Sequence, residues 1–291
     1  MYTSTSRPRR PCVSYADSLT GVSSDPQTVT SADGTQIAYQ REGSGPAVVL
    51  VGGGLDDGSE NAVLIPALAG EFTVYNYARR GRAGSGDTRP YAVQRELEDL
   101  AALLDAAGGS AHLFGASSGA ALALEGAAAG LPVNRLAVYD VPYNVGDEAV
   151  KRWRAYRSDL DEALAQGRTD KAIAAFMRLA GASDDDLKGA RAAPFWDGLL
   201  SLAPTLAHDA AILGNDGPPS DRFANIRQET LVLTRSTSDP YMPALPIEFF
   251  EAAAAAVAMA LPHPTRRTID APGHAVDATA VAPPVRAFFA S

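Results

Sequence analysis

Ala111-His112-Leu113-Phe114-Gly115-Ala116-Ser117-Ser118-Gly119 decides the reading of this chain. An apolar run ends in Gly-x-Ser-x-Gly, and an alanine-rich segment follows at once. Strand, tight turn, helix: that is the sequence form of a nucleophile elbow with a serine at its tip. Such a turn cramps the serine backbone, so its neighbours must be small, and Gly115 and Gly119 carry no Cβ to clash. The helix that starts after Ser117 aims its free N–H groups and positive dipole end at the reacting centre. In a chain with 26 glycines the pentapeptide arises readily by chance, so its weight comes from the context around it.

Working outward, strand and helix signals alternate on both sides. Short β segments at residues 28–30 and 36–39 flank the turn Ala32-Asp33-Gly34. Residues 47–51, Ala-Val-Val-Leu-Val, form a continuous apolar run, which predicts a strand covered on both faces. Gly52, Gly53 and Gly54 break it. A helix over 62–69, a strand over 72–77, a basic glycine-rich loop from Arg79 to Gly86 and a helix over 96–107 lead to the elbow. A strand at 135–139 follows the elbow helix. The rhythm then stops. Residues 148–166, 169–179, 184–193 and 195–213 read as helices with no β run between them. It resumes with a strand at 230–234, a helix at 246–260, a strand at 265–269 and a helix at 280–289. The pattern predicts an α/β fold with a mostly parallel central sheet flanked by helices. Its core spans 28–144 and 220–291, with a helical lid inserted at 145–219. Residues 1–27, rich in Ser, Thr, Arg and Pro and lacking an apolar run, are expected to form a flexible arm.

Composition narrows the function classes. The 291 residues are 46% hydrophobic and 20% charged, which suits one large domain with ample core. A formal net charge of -9 disfavours nucleic acid or an anionic membrane as partner. No stretch approaches the ~20 apolar residues of a membrane helix. The single cysteine, Cys12, excludes an intramolecular disulfide and points to a reducing, cytoplasmic setting. His112, His208, His263 and His274 are scattered, with no metal-ligand spacing, so no metal or other cofactor is expected. Composition is silent on whether the chain forms a homo-oligomer.

With these landmarks in order, the chain resembles the α/β-hydrolase superfamily from about residue 27 onward. Gly45-Pro46, the buried strand and the glycine turn match its oxyanion loop. Arg80-Gly81 to Ser85 match its Arg-Gly-rich loop, Gly115 to Gly119 its elbow, and Asp239-Pro240 and Gly273-His274 its late acid and histidine. The order Ser, Asp, His is the one this fold uses. Three positions depart from the common pattern. Gly52-Gly53 stands where many members have His-Gly, Ala78 where many have Asp, and Ala83 where many have Gly.

The resemblance implies roles for particular residues. Ser117 is the expected nucleophile, inert until a base stands within hydrogen-bond reach. A serine there implies acyl transfer, whereas relatives that work through an alkyl ester carry a carboxylate. His274, in a turn after an apolar β run, is the expected base. His112 instead lies inside a strand, His208 in the lid and His263 in a polar loop. Asp239 is the expected orienting acid, with Asp140, at the end of the 135–139 strand, as the alternative. The oxyanion donors are expected from Ser118 and from Gly54 or Gly53. Asp56 and Asp57 read as a solvated helix N-cap, with the site mouth as the alternative. Arg79, Arg80 and Arg82 read as a solvated or internally paired loop, with an acidic-substrate site as the alternative. Trp153 and Trp196 in the lid, and Tyr241 and Met242 past Asp239, are expected to face a small-molecule substrate. The implied activity is hydrolysis of a carboxylic ester, thioester or lactone of an apolar small molecule. A non-hydrolytic acyltransferase or cyclase on the same scaffold, or a ligand-binding protein with little turnover, is the alternative.

Overall fold

The computed structural model describes residues 27–291. The N-terminal arm expected over 1–27, and Cys12 with it, lies outside the described residues apart from Gln27, which opens the first strand. Eight strands form one sheet: β1 (Gln27–Thr30), β2 (Gln36–Gly43), β3 (Ala47–Val51), β4 (Thr73–Tyr77), β5 (Ala111–Ala116), β6 (Val133–Tyr139), β7 (Thr230–Arg235) and β8 (Pro264–Ile269). Their order across the sheet is β1-β2-β4-β3-β5-β6-β7-β8. The β1–β2 and β2–β4 pairs are antiparallel, and every other neighbouring pair is parallel.

Alternation along each strand divides the core into two layers. Val48 and Leu50 of β3 face one layer, Val49 and Val51 the other. Helices α3 (Val93–Ala106), α4 (Ser118–Ala128) and α11 (Ile247–Ala260) pack on the Val49 side. Helices α2 (Ile65–Leu68) and α12 (Ala278–Ala290) pack on the other. With helices on both faces, β3, β4, β5 and β7 are buried along almost their whole length, and β3 accordingly reads as an unbroken apolar run.

Between β6 and β7 lies the helical block: α5 (Asp147–Ala165), α6 (Thr169–Ala180), α7 (Asp184–Arg191), α8 (Trp196–Leu202) and α9 (Leu206–Leu213). Two helices of the sequence reading are broken, and a proline lies at each break. The segment 62–69 is two short turns, α1 (Ser59–Ala62) and α2, because Pro66 has no N–H to continue a ladder. The segment 195–213 is interrupted at Pro204, where Ala203–Thr205 forms a 3-10 turn. A further short helix, α10 (Ser220–Phe223), precedes β7. The carboxyl ends of β3, β5, β6, β7 and β8 all open on the same edge of the sheet, and the candidate site is assembled there.

Candidate active site

Ser117 sits between β5 and α4 with φ 53° and ψ -127°, a region that L residues rarely occupy. Such strain costs on the order of 1–3 kcal/mol and persists only where the surroundings enforce it. Here the Ser117 N–H donates to the Tyr139 carbonyl at 3.0 Å. Packing enforces the rest. A Cβ on Gly119 would lie 2.3 Å from the Val51 carbonyl, and one on Gly115 would lie 2.5 Å from the Gly119 carbonyl. The two glycines therefore let the elbow press against the end of β3, and the half-buried Ser117 stands at the tip.

The turn after β8 carries His274. Its Nδ1 lies 3.1 Å from Asp140 Oδ2, so the ring faces the alternative acid and not Asp239. Asp140 follows β6 directly, with φ 47°, and its N–H donates to the Leu233 carbonyl at 3.0 Å. The carboxylate is fully buried and also accepts from Arg235, whose N–H reaches Oδ1 at 3.2 Å and whose guanidinium reaches Oδ2. Asp239 is occupied with backbone. Its Oδ1 accepts the Tyr241 N–H and its Oδ2 the N–H of His274, each at 2.8 Å. A Cβ on Gly273 would lie 2.8 Å from that carboxylate, so the glycine lets the turn close on Asp239. Asp239 thus fixes the backbone of the histidine turn while Asp140 meets the ring, and the sequence expectation for the acid is corrected accordingly. Phe250 packs beside the imidazole with ring centres 4.9 Å apart.

The glycine turn after β3 abuts the elbow. A Cβ on Gly53 would meet the Ser117 Cβ at 2.9 Å, and Gly54 and Ser118 both line the cavity described below. Gly52 stands where a larger residue has no room, because a Cβ there would lie 2.1 Å from Asp56 Oδ2. Asp56 Oδ1 accepts the Gly58 and Glu60 N–H groups, and Asp57 accepts that of Ser59, so both aspartates cap the loop. Arg79, Arg80 and Arg82 are fully buried and internally paired, not solvated. Arg79 pairs with Glu96 and Asp209, Arg80 with Asp33 and Asp99, and Arg82 with Asp209. Each guanidinium has a protein carboxylate, so the alternative of an acidic-substrate site has no free cation to stand on. Ala83, in the same loop, has φ 41°, a conformation that favours the glycine it replaces.

A cavity of about 310 Å³ opens over Ser117 and His274. Its walls are mainly apolar and come from the helical block and from the segment leading into α11. Trp153, Tyr241 and Met242 are among its lining residues, and Tyr241 is largely exposed. Trp196 is not among the lining residues; it is buried elsewhere, with Arg191 over its ring at 5.8 Å. Of the other histidines, His112 packs in the core between Phe72 and Phe289, and buried His208 stacks on Tyr91.

Two acidic lining residues carry no local pattern of their own in the sequence. Glu60 takes the Val276 N–H on Oε1 at 3.3 Å. Burial and the charge of Asp56 push its carboxyl up to about 7, against the opposing pull of His274. Asp209, from α9, is buried too, which alone would raise it. Arg82, Arg79 and a hydrogen bond from Ser118 outweigh burial and lower it to about 2. The buried arginines were the only hint of Asp209, since such charges require carboxylate partners. Among the described residues no group of three or more His, Cys, Asp or Glu could hold a metal ion, and no helix is long and apolar enough to cross a membrane.

Comparison with known proteins matches this architecture. An alpha/beta hydrolase of Sphaerobacter thermophilus is 43% identical, with a TM-score of 0.79 over 90% of this chain and 100% of that one. Esterases from Exiguobacterium antarcticum (18% identity, TM-score 0.62, 85% of this chain and 91% of that one) and a Rhodococcus species (20%, 0.65, 91% and 98%) share the fold. An uncharacterized hydrolase of Bacillus subtilis is 36% identical over 96 residues, 32% of this chain and only 35% of that protein's length. The model of the alpha/beta hydrolase family matches residues 25–283, and the chain belongs to that family.

Proposed function

We propose that the protein hydrolyses a carboxylic ester, thioester or lactone of an apolar small molecule through an acyl-enzyme on Ser117. The observation that carries this reading is the strained serine turn opening into the same cavity as His274, whose Nδ1 lies 3.1 Å from buried Asp140. Asp140 holds the tautomer with Nδ1–H toward itself, which leaves Nε2 free to act as base. Ser117 Oγ attacks the carbonyl carbon and its proton passes to Nε2. The oxyanion takes hydrogen bonds from the N–H groups of Ser118 and Gly54, each worth ~2.7–4 kcal/mol in the transition state. The intermediate collapses, and the leaving alcohol or thiol departs with the proton from Nε2. Water then attacks the acyl group, gives a proton to Nε2, and releases the acid as Ser117 recovers its proton.

The helical block acts as the lid, and its aromatic and aliphatic walls favour apolar substrates. Turnover of short-chain aryl esters by the wild type and by Ser117→Ala tests the reading. Alanine suits the small-residue turn, so the variant should fold normally and lose at least ~10³ in rate. A Ser117→Ala variant with wild-type turnover would refute it.

A further inference from the structure

Asp209 reaches down from α9 of the helical block into the floor beneath the glycine turn. It is buried, and it is 91 residues from Ser118, 130 from Arg79 and 127 from Arg82 in sequence. Its Oδ1 accepts from Ser118 Oγ at 2.7 Å, from Arg79 Nη1 at 2.7 Å and from Arg82 Nη2 at 2.8 Å, and its Oδ2 accepts from Arg82 Nη2 at 2.9 Å. The same two guanidinium groups also hold the glycine turn. Arg79 Nη1 donates to the Gly52 carbonyl at 3.2 Å, and Arg82 Nη1 donates to the Gly53 carbonyl and, at 3.2 Å, to that of Asp56.

A trans peptide is planar, with its C=O and N–H pointing in opposite directions. A guanidinium fixed on the Gly53 carbonyl therefore fixes the direction of the Gly54 N–H. Polarising that carbonyl also strengthens the N–H as a donor. Asp209 thus connects two places at once: the peptide that presents the Gly54 N–H, through Arg82, and the first residue of α4, through Ser118 Oγ.

We infer that Asp209 is a positioning residue for the oxyanion hole, so that the hole is complete only while α9 is docked on the core. The inference rests on the acyl-enzyme reading above. A carboxylate beside a developing oxyanion is repulsive on electrostatic grounds. Removing its charge while keeping its shape would leave an extra positive charge next to the anion and raise the rate if that were its whole influence. Positioning gives the opposite sign.

The test uses the full chain with Asp209→Asn, Ser118→Ala and the double variant. Ser118→Ala keeps the Ser118 N–H and removes the hydroxyl, which donates to Asp209 and also accepts from Arg79 Nη1 at 3.4 Å. Loss of a whole oxyanion donor costs ~10²–10³ in kcat, so misplacing donors should cost Asp209→Asn about 10- to 100-fold in kcat, with KM changed less than about threefold. Ser118→Ala should lose less, because it breaks one of the two links that Asp209 makes, and the double variant should be no slower than Asp209→Asn, because the Ser118 link already runs through Asp209. Hydrogen exchange followed on peptides gives a readout independent of turnover: amides at 52–54 should exchange faster in Asp209→Asn while those of β6 stay protected. An unchanged or raised kcat, additive losses in the double variant, or unchanged exchange at 52–54 would each overturn the inference. A wild type that turns over no ester would instead count against the acyl-enzyme reading, and the exchange arm would still decide whether Asp209 orders the turn. Should Asp209→Asn fail to fold, Ser118→Ala decides alone, through its kcat loss at constant KM: an unchanged kcat would overturn the inference.

Discussion

Replacing Asp140 by Asn, beside Asp239→Asn as a control, separates two carboxylates that both touch His274. Asp140 Oδ2 lies 3.1 Å from Nδ1. An amide at that place can present its NH₂ to the ring, which favours the tautomer with the proton on Nε2, and that tautomer cannot take a proton from Ser117. The loss should approach ~10⁴ in kcat, or about 5 kcal/mol of transition-state stabilisation. Stability should fall as well, because Arg235 is fully buried and Asp140 is its carboxylate partner. An uncompensated buried charge costs about 3–5 kcal/mol. In a chain of 291 residues, with an unfolding entropy of about 0.6 kcal/mol/K, that lowers the melting temperature by roughly 5–8 °C.

Asp239→Asn should do much less. The backbone N–H groups of Tyr241 and His274 each lose part of an acceptor, so a loss of under about tenfold is expected from a slightly loosened turn. The assay is kcat and KM for a neutral aryl ester, measured well below both melting temperatures at a pH where the wild type is on its plateau. A crippled Asp239→Asn beside a near-normal Asp140→Asn would refute the assignment.

Other perturbations follow from the same geometry. Glu60, raised by burial and by Asp56 from 4.5 to about 7, holds its proton more tightly in the folded chain than in the unfolded one, so stability falls as pH rises from about 4.5 to 7. Glu60→Gln should remove that fall. The full shift corresponds to roughly 3 kcal/mol and partial exposure of the side chain screens it to about 2, so at pH 8 the variant should melt higher than the wild type, with no difference at pH 4. A variant that is less stable at pH 8 would contradict this. Asp209 has the opposite sign: lowered to about 2, it contributes stability that is present above pH 4 and lost as pH falls towards 2. Acid unfolding of Asp209→Asn should therefore lack that limb, and a curve parallel to the wild type would exclude it. Gly119→Ala would press a Cβ to 2.3 Å from the Val51 carbonyl, where only backbone can move, so loss of more than about 3 kcal/mol or failure to fold is expected. Wild-type melting of Gly119→Ala would contradict the packing at the elbow.

Much of the fold was legible because its strands are buried on both faces. Residues 47–51 carry an unbroken apolar run and 111–116 one interrupted only by His112, and the glycines after them mark the edge where the site is built. The serine turn was legible for the same reason, since a strained elbow needs Gly115 and Gly119 on either side. The choice of acid was not. Asp140 directly follows β6 and Asp239 lies a few residues past β7, and only the direction of the loops after the two strands decides which carboxyl reaches the ring. Helix breaks depended on how the chain resolves Pro66 and Pro204. Trp196 satisfied the pattern of a lid aromatic, yet it is buried under Arg191 outside the cavity while Trp153 of α5 lines it. Asp209 and Glu60 escaped notice because a carboxylate buried by distant partners leaves no local pattern. The three arginines of the loop after β4 were the visible half of that network.

The central claim is that Ser117 is the nucleophile, and covalent labelling tests it most directly. The full chain, incubated with a fluorophosphonate, is digested and its adduct mapped by mass spectrometry. The account predicts one adduct, on Ser117, and none in Ser117→Ala. An adduct on another residue, labelling that persists in Ser117→Ala, or an unlabelled wild type that still hydrolyses esters would contradict it.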